Sequence, residues 1–334
     1  MASSKILTIS IAAYNVEKFI EQTLNSLIKE ADILEKLEIF VVDDGGTDHT
    51  LDIADAYSNK YEGTVYCCRK TNGGYGSVIN YSIERATGKY FKQLDGDDWF
   101  DSKFIREYVD LLEKTEADCV ITPMYYYDNE HNRVQRLEDD YAGFQEGLYT
   151  FNDINPSLGM RMHLCTFKTS VLKKMNYRIT EKCFYTDMEY CHAPVRYMNN
   201  IYISHIPLYV YRIGSEEQSI NINNMKKRYK AHETVLFKLQ DLYDMIPEDE
   251  VGKRRILYNR IRSVFATQLR LQCMQGIGIR NFFETKSFLD RYRVKNMEVF
   301  KKVVKEGKIA KWLIYSHGLM FPFIVTGLKL KYSK

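Results

Sequence analysis

The feature that most constrains this chain is a change of rhythm repeated through its first 125 residues. Short β-rich runs at 6–12, 37–42, 65–68, 90–94 and 119–126 alternate with stretches of helical spacing. The first such stretch places Phe19, Ile20, Leu24, Leu27 and Ile28 on one face, with Asn15 as its expected cap. Others run through 51–57, 75–86 (closed by Gly88) and 102–114. This alternation predicts an α/β fold whose mostly parallel sheet carries helices on both faces. In such sheets ligands bind beyond the carboxyl ends of the strands. Those ends read Ala12-Ala13-Tyr14-Asn15, Asp43-Asp44-Gly45-Gly46-Thr47-Asp48, Lys70-Thr71-Asn72-Gly73-Gly74 and Asp95-Gly96-Asp97-Asp98. Four consecutive strands thus end in polar, glycine-bearing or acidic loops, which marks a site.

The acidity of two of these loops limits what binds there. Phosphate held by protein alone needs a glycine-rich loop with a cation, or a helix N-terminus. Neither a P-loop nor a dinucleotide fingerprint is present; Gly73-Gly74-Tyr75-Gly76 lacks the spacing. Carboxylates accept a diphosphate only through a divalent cation, which reverses the local charge. Oxygen ligands of this kind suit Mg²⁺ or Mn²⁺. The plain alternative for Asp95–Asp98 is a solvated turn capping the next helix.

Beyond 125 the rhythm breaks. Residues 128–156 are polar and rich in turn formers; 171–177 and 187–197 have helical spacing, and 201–204 and 208–211 resemble short strands. From about 223 the chain reads as basic helices at 225–243, 249–274 and 281–314. Residues 1–220 carry 23 Lys+Arg against 34 Asp+Glu, whereas 221–334 carry 24 against 10. That opposition of sign places a boundary near 220, giving domains 1–220 and 221–334. With 334 residues, 45% apolar content and six prolines, disordered and collagen-like classes are excluded. Seven cysteines without a CxxC pair are expected to be reduced core thiols. The run 6–13 is too short for a signal peptide and reads as a strand. The apolar tail 312–328 is interrupted by Ser316, His317, Gly318, Pro322 and Gly327. It is expected to lie on a membrane rather than cross one.

The ordered set ISIAAYN (ending at Asn15), VVDDGGTD (41–48), NGG followed by Asn80, and QLDGDDWF (93–100) resembles the inverting family 2 glycosyltransferases with a GT-A fold, over about residues 5–215. The resemblance implies a nucleoside diphosphate sugar donor, commonly a UDP-sugar. Ala12 and Tyr14 would border the base, Asp43 and Asp44 would hold the uracil or ribose side, and Asn72, Gly73 and Gly74 would complete the donor site. Asp95 would face the ribose and Asp97 would bind the Mn²⁺ or Mg²⁺ that bridges the diphosphate. The family's catalytic base maps to Asp187, within Tyr185-Thr186-Asp187-Met188-Glu189-Tyr190; the alternative for Asp187 is a helix cap. Arg212, followed by Gln218 and Ser219, maps to a segment near the diphosphate, the alternative being a surface arginine. The chain departs from the family at Thr186, where a glutamate is usual, at Gly46, where a serine is common, and at Val78-Ile79-Asn80, which lacks an arginine. His163, His192 and His205 are expected to be structural or surface histidines. The implied acceptor is a hydroxyl of a glycan or lipid-linked glycan, in bacterial cell-surface polysaccharide or wall assembly on the cytoplasmic face. The basic half is expected to dock on the inner leaflet, and no motif points to nucleic acid. Two alternatives remain: a non-catalytic glycan-binding protein on a transferase fold, and a sugar nucleotidyltransferase. The latter needs a basic glycine-rich N-terminal loop that 12–15 does not supply.

Overall fold

The computed structural model describes residues 5–154, 159–214 and 221–332. The chain divides into two compact units, Met1–Ser215 and Glu216–Lys334.

In the first unit, β1 (Leu7–Ala13), β2 (Leu37–Asp43), β3 (Val65–Arg69) and β4 (Tyr90–Asp95) pair in parallel, in the order β3-β2-β1-β4. The chain steps outward from β1 to β3, then returns to the far side of β1. That reversal separates the connections above β1 and β4 and opens a crevice at their carboxyl ends. The register sets Ala12 beside Asp95 and Ala13 beside Asp43. Leu7, Ile9, Ile11, Ile39, Val41 and Phe91 are completely buried, as a sheet covered on both faces requires. The covering helices are α1 (Ile20–Leu27), α2 (Thr50–Lys60), α3 (Tyr75–Arg85), α4 (Ile105–Lys114), α5 (Thr169–Lys174) and α6 (Asp187–His192).

The later strands are β5 (Trp99–Phe100), β6 (Cys119–Ile121), β7 (Met124–Asp128), β8 (Arg133–Glu138), β9 (Gly147–Thr150), β10 (Cys165–Lys168), β11 (Asn200–Ile203) and β12 (Tyr209–Ile213). The main sheet continues as β10-β6-β11-β9, with β10 antiparallel to both β4 and β6. A second sheet has the order β5-β12-β7-β8. The architecture is the expected mixed, mostly parallel α/β type, with three corrections. The single strand expected at 119–126 is two strands in different sheets, broken at Thr122-Pro123, where proline supplies no ladder donor. The turn-rich stretch 128–156 contains β8 and β9. Asn15 does not cap α1: it has φ +54° and its Oδ1 accepts from the Thr47 amide at 2.8 Å.

Lys92, in the middle of β4, is fully buried, and its Nζ donates to the carbonyls of His163 (3.0 Å) and Cys165 (3.3 Å). Burial pulls its amine down to about 8. The unfolded chain therefore binds more protons than the folded one between about pH 8 and 10, and stability attributable to this group rises with pH there. Denaturant unfolding of wild type and Lys92→Met is expected to show the difference shifting in favour of the wild type across that window. A pH-independent difference contradicts this reading.

The second unit is helical: α7 (Ile222–Lys227), α8 (Tyr229–Asp244), α9 (Val251–Cys273), α10 (Ile279–Lys295), α11 (Met297–Glu306), α12 (Lys308–Tyr315) and α13 (Phe321–Tyr332). The 23-residue α9 is its axis, touching α8 and each of α10 to α13. Phe265 of α9 packs its ring against Phe288, Tyr292 and Phe300, with centroids 5.0–6.5 Å apart. Among the described residues, no helix is long and apolar enough to cross a membrane.

Candidate active site

The acidic turn after β4 is hung on the end of β1. The Gly96 amide donates to the Ala12 carbonyl at 3.0 Å, and a Cβ on Gly96 would lie 2.8 Å from that oxygen. Glycine is what lets the two strand ends approach. Ala12 itself packs on Phe40, Val42 and Val78, while Tyr14 stands exposed at the crevice mouth. Asp43 is buried and its Oδ1 accepts from the Gly46 amide at 3.0 Å. A Cβ at Gly46 would fall 2.8 Å from the same oxygen, which accounts for glycine where the family commonly has serine.

Asp44 ties two strand ends together. Its Oδ1 accepts from Lys70 Nζ (2.6 Å) and the Gly73 amide (2.9 Å), and its Oδ2 from the Gly74 amide (2.8 Å). The Asn72-Gly73-Gly74 turn is thereby fixed by Asp44. Further along α3, the buried Asn80 exchanges two 2.9 Å hydrogen bonds with the backbone of Ile179 and donates to Glu181. Glu189, also buried, accepts from Tyr177 Oη and from the amide and hydroxyl of Thr180. These contacts moor the segment leading into α6. Just before α6, Tyr185 takes φ +66°, a costly conformation for a bulky residue. Asp187 follows as the first residue of α6. The cap position belongs to Thr186, which makes no side-chain capping bond, so Asp187 is not the cap.

Asp95, Asp97 and Asp98 crowd the turn. Burial, the Asp97 charge and Asp187 push the Asp95 carboxyl up to about 7, against a hydrogen bond from Tyr75 Oη at 2.7 Å. The Asp187 charge raises Tyr75 as well, although 92 residues separate it from Asp95. Burial also raises Asp97, and burial with the two neighbouring carboxylates raises Asp98 further. Tyr209 Oη donates to Asp98 Oδ2 at 2.6 Å and accepts from the Asp95 amide at 3.2 Å.

Arg212 is not a surface residue. It is buried: its amide donates to Asp98 Oδ1 (2.8 Å), its Nε to the Asp97 carbonyl (2.8 Å), and its terminal nitrogens to Asn129 and Gln22. Its guanidinium lies 4.7 Å from the ring centroids of both Phe19 and Trp99. It braces the turn from behind. Gln218 and Ser219 lie outside the described residues.

The donor set suits a hard divalent cation. Carboxylate oxygens of Asp95 and Asp98 and a ring nitrogen of His163 lie within 4.8 Å of one another, and three raised carboxyls in one turn favour added positive charge. Asp97 lies on the same turn, outside that trio. His163, expected to be structural, packs on Tyr209 and Tyr211, with its Nε2 3.9 Å from Asp95 Oδ2, and its buried Nδ1 has no hydrogen bond among the described residues. His192 (Nδ1 to the Met188 carbonyl, 2.8 Å) and His205 (paired with Asp139) are structural, as expected. Sequence reasoning left Tyr75, Asp98 and Tyr209 without roles. The third aspartate of the turn was visible as a signal; no local pattern marks the two tyrosines.

Comparison with known proteins bears on the family and the fold. The family model described as "Glycosyl transferase family 2" matches residues 8–178, more than half of the chain. An uncharacterized glycosyltransferase, MG025 of Mycoplasma genitalium, is 27% identical over 213 residues, 63% of this chain and 69% of that one. The poly(ribitol-phosphate) beta-N-acetylglucosaminyltransferase TarS of Staphylococcus aureus is 30% identical over 117 residues, 35% of this chain but only 20% of its own length. The structure of S. aureus TarS 1–349 in complex with UDP superposes with a TM-score of 0.61 at 18% identity, covering 90% of each chain, and so shares the fold.

Proposed function

The chain belongs to glycosyl transferase family 2, and from that premise we propose that it moves one sugar, with inversion, from a UDP-sugar to a hydroxyl of a glycan or lipid-linked glycan. The observation that carries this reading is the crowded Asp95–Asp98 turn, with His163 beside it, at the switch point of the sheet; Asp187, whose charge raises Asp95, is the base that the resemblance implies. UDP is the donor nucleotide by analogy with the TarS complex. The acceptor class is taken by analogy with TarS, a poly(ribitol-phosphate) beta-N-acetylglucosaminyltransferase.

In this reading Ala12 and Tyr14 border the base, and Asp43 lies on the uracil or ribose side. Asp44 acts there too, by holding the Asn72-Gly73-Gly74 turn against the donor. Asp95 faces the ribose. Asp97, the ligand that the resemblance implies, and the trio of Asp95, Asp98 and the His163 imidazole would hold Mn²⁺ or Mg²⁺, which would supply charge neutralisation of the departing diphosphate. Arg212 keeps the turn in place. Asp187 accepts the proton of the acceptor hydroxyl as its oxygen forms a bond to the anomeric carbon. The bond from that carbon to the diphosphate breaks on the opposite face, and the electron pair leaves with UDP. The setting we assign is the cytoplasmic face of a membrane.

The test is UDP release from a panel of UDP-sugars by purified protein. Release with Mn²⁺ is expected to vanish with EDTA and to fall by at least roughly tenfold in Asp97→Asn, the low end of what one electrostatic ligand contributes. Release undiminished by EDTA contradicts the metal role.

A further inference from the structure

We propose that α12 and α13 form a docking surface for an anionic lipid bilayer. The inference stands on the helical unit alone and is independent of the transferase reading.

α13 is apolar on opposite sides. Phe321, Ile324, Val325 and Leu328 are buried, and α13 packs on α9. Phe323 and Leu330, seven residues apart and so on one face, are each 70% exposed. The inner row accounts for folding of the unit; the outer row does not take part in it. α12 repeats the arrangement, burying Ala310 and Leu313 while Trp312 and Tyr315 face outward. Leu319, in the turn between the helices, is 79% exposed. Large exposed apolar side chains gathered over two successive elements mark an interaction surface.

The charge decides the occupant. From Gly307 onward the sequence holds five lysines (Lys308, Lys311, Lys329, Lys331, Lys334) and no acidic residue. Of these, Lys334 lies outside the described residues. Apolar and aromatic groups framed by lysine suit the interface of a bilayer with negative headgroups: rings sit at the headgroup level, and lysine stems cover apolar surface while their ammoniums reach phosphate. A second copy of this surface is a poorer partner, because lysine would face lysine across a two-fold axis. Neither helix is long enough to cross the bilayer.

The test is co-sedimentation of the full chain with vesicles of phosphatidylglycerol and phosphatidylcholine, alongside vesicles of phosphatidylcholine alone. Tryptophan fluorescence is read in parallel, with Trp312→Phe as the control that assigns the signal. We expect binding to the anionic vesicles, weakened by salt, with a blue shift that Trp312→Phe removes. Phe323→Glu with Leu330→Glu is expected to lower the partition coefficient at least tenfold. Both positions are exposed, and circular dichroism verifies that the pair leaves the fold intact. Replacing Lys308, Lys311, Lys329 and Lys331 by Gln is expected to abolish the preference for anionic lipid. Absence of vesicle binding, or binding that the Glu pair leaves unchanged, overturns the proposal. A dimer in sedimentation equilibrium that the Glu pair dissolves, without vesicle binding, assigns the face to a second copy instead.

Discussion

Replacing Asp187 by Asn is expected to lower the rate of sugar transfer by roughly 10²–10⁴-fold, the range that a positioned general base contributes. Asparagine keeps the shape of the side chain and the start of α6 but cannot take up the acceptor's proton. The surroundings are expected to survive the change. The approach to α6 is fixed by Asn80 on Ile179 and by Glu189 on Thr180. Donor binding is also expected to survive, since the proposed role of Asp187 is toward the acceptor hydroxyl. Removing its charge relieves part of the pressure that raises Asp95. The signature is therefore a fall in kcat far larger than any change in UDP affinity, read by steady-state transfer kinetics beside UDP titration. Transfer within a few-fold of wild type would remove Asp187 from the mechanism.

The second large effect is expected from Arg212→Met, which preserves much of the stem's volume but deletes a cation and its donors. Arg212 is held between Phe19 and Trp99 and bonds the Asp97 carbonyl, Asn129 and Gln22 through its guanidinium. Burial works against its charge, while Asp97 and Asp98 hold it charged. Removing the guanidinium leaves three half-buried acceptors without their donor, at about 1–3 kcal/mol each, so that about 3–5 kcal/mol is lost after partial relaxation. For a unit of this size that corresponds to a fall in Tm of roughly 6–20 °C. Arg212→Lys is not expected to rescue it, since an ammonium cannot serve three acceptors in the plane that the guanidinium spans. Differential scanning calorimetry decides this; a Tm within about 2 °C of wild type would mean that the turn does not depend on Arg212.

The part of the fold that sequence made legible is the part governed by local period. β1 to β4 and their helices are regular, their strands are continuous apolar runs, and their ends are punctuated by Gly and Asp, so both position and polarity could be read. The family resemblance then attached roles to those ends. What escaped depends on contacts distant in sequence. β10 is only four residues and is buried on both sides over most of its length, so Cys165–Lys168 offers no alternation to detect. β8 is exposed along nearly its whole length and offers none either. The division of residues 119–128 between two sheets hinges on Pro123, a cue present in the sequence but outweighed by the apolar run around it. In the site, Tyr75 meets Asp95 across 20 residues and Tyr209 meets Asp98 across 111, pairings that no motif encodes. Arg212 was found by resemblance, but its burial between two rings depends on Trp99 of β5, beside β12, and on Phe19 ahead of α1, both distant in sequence.

The measurement that bears most directly on the central claim is calorimetric titration of UDP into the full chain, with Mn²⁺ and with EDTA. The account predicts one UDP per chain with Mn²⁺ and binding weakened at least tenfold by EDTA or by Asp97→Asn. An absence of UDP binding in the presence of Mn²⁺ would contradict it.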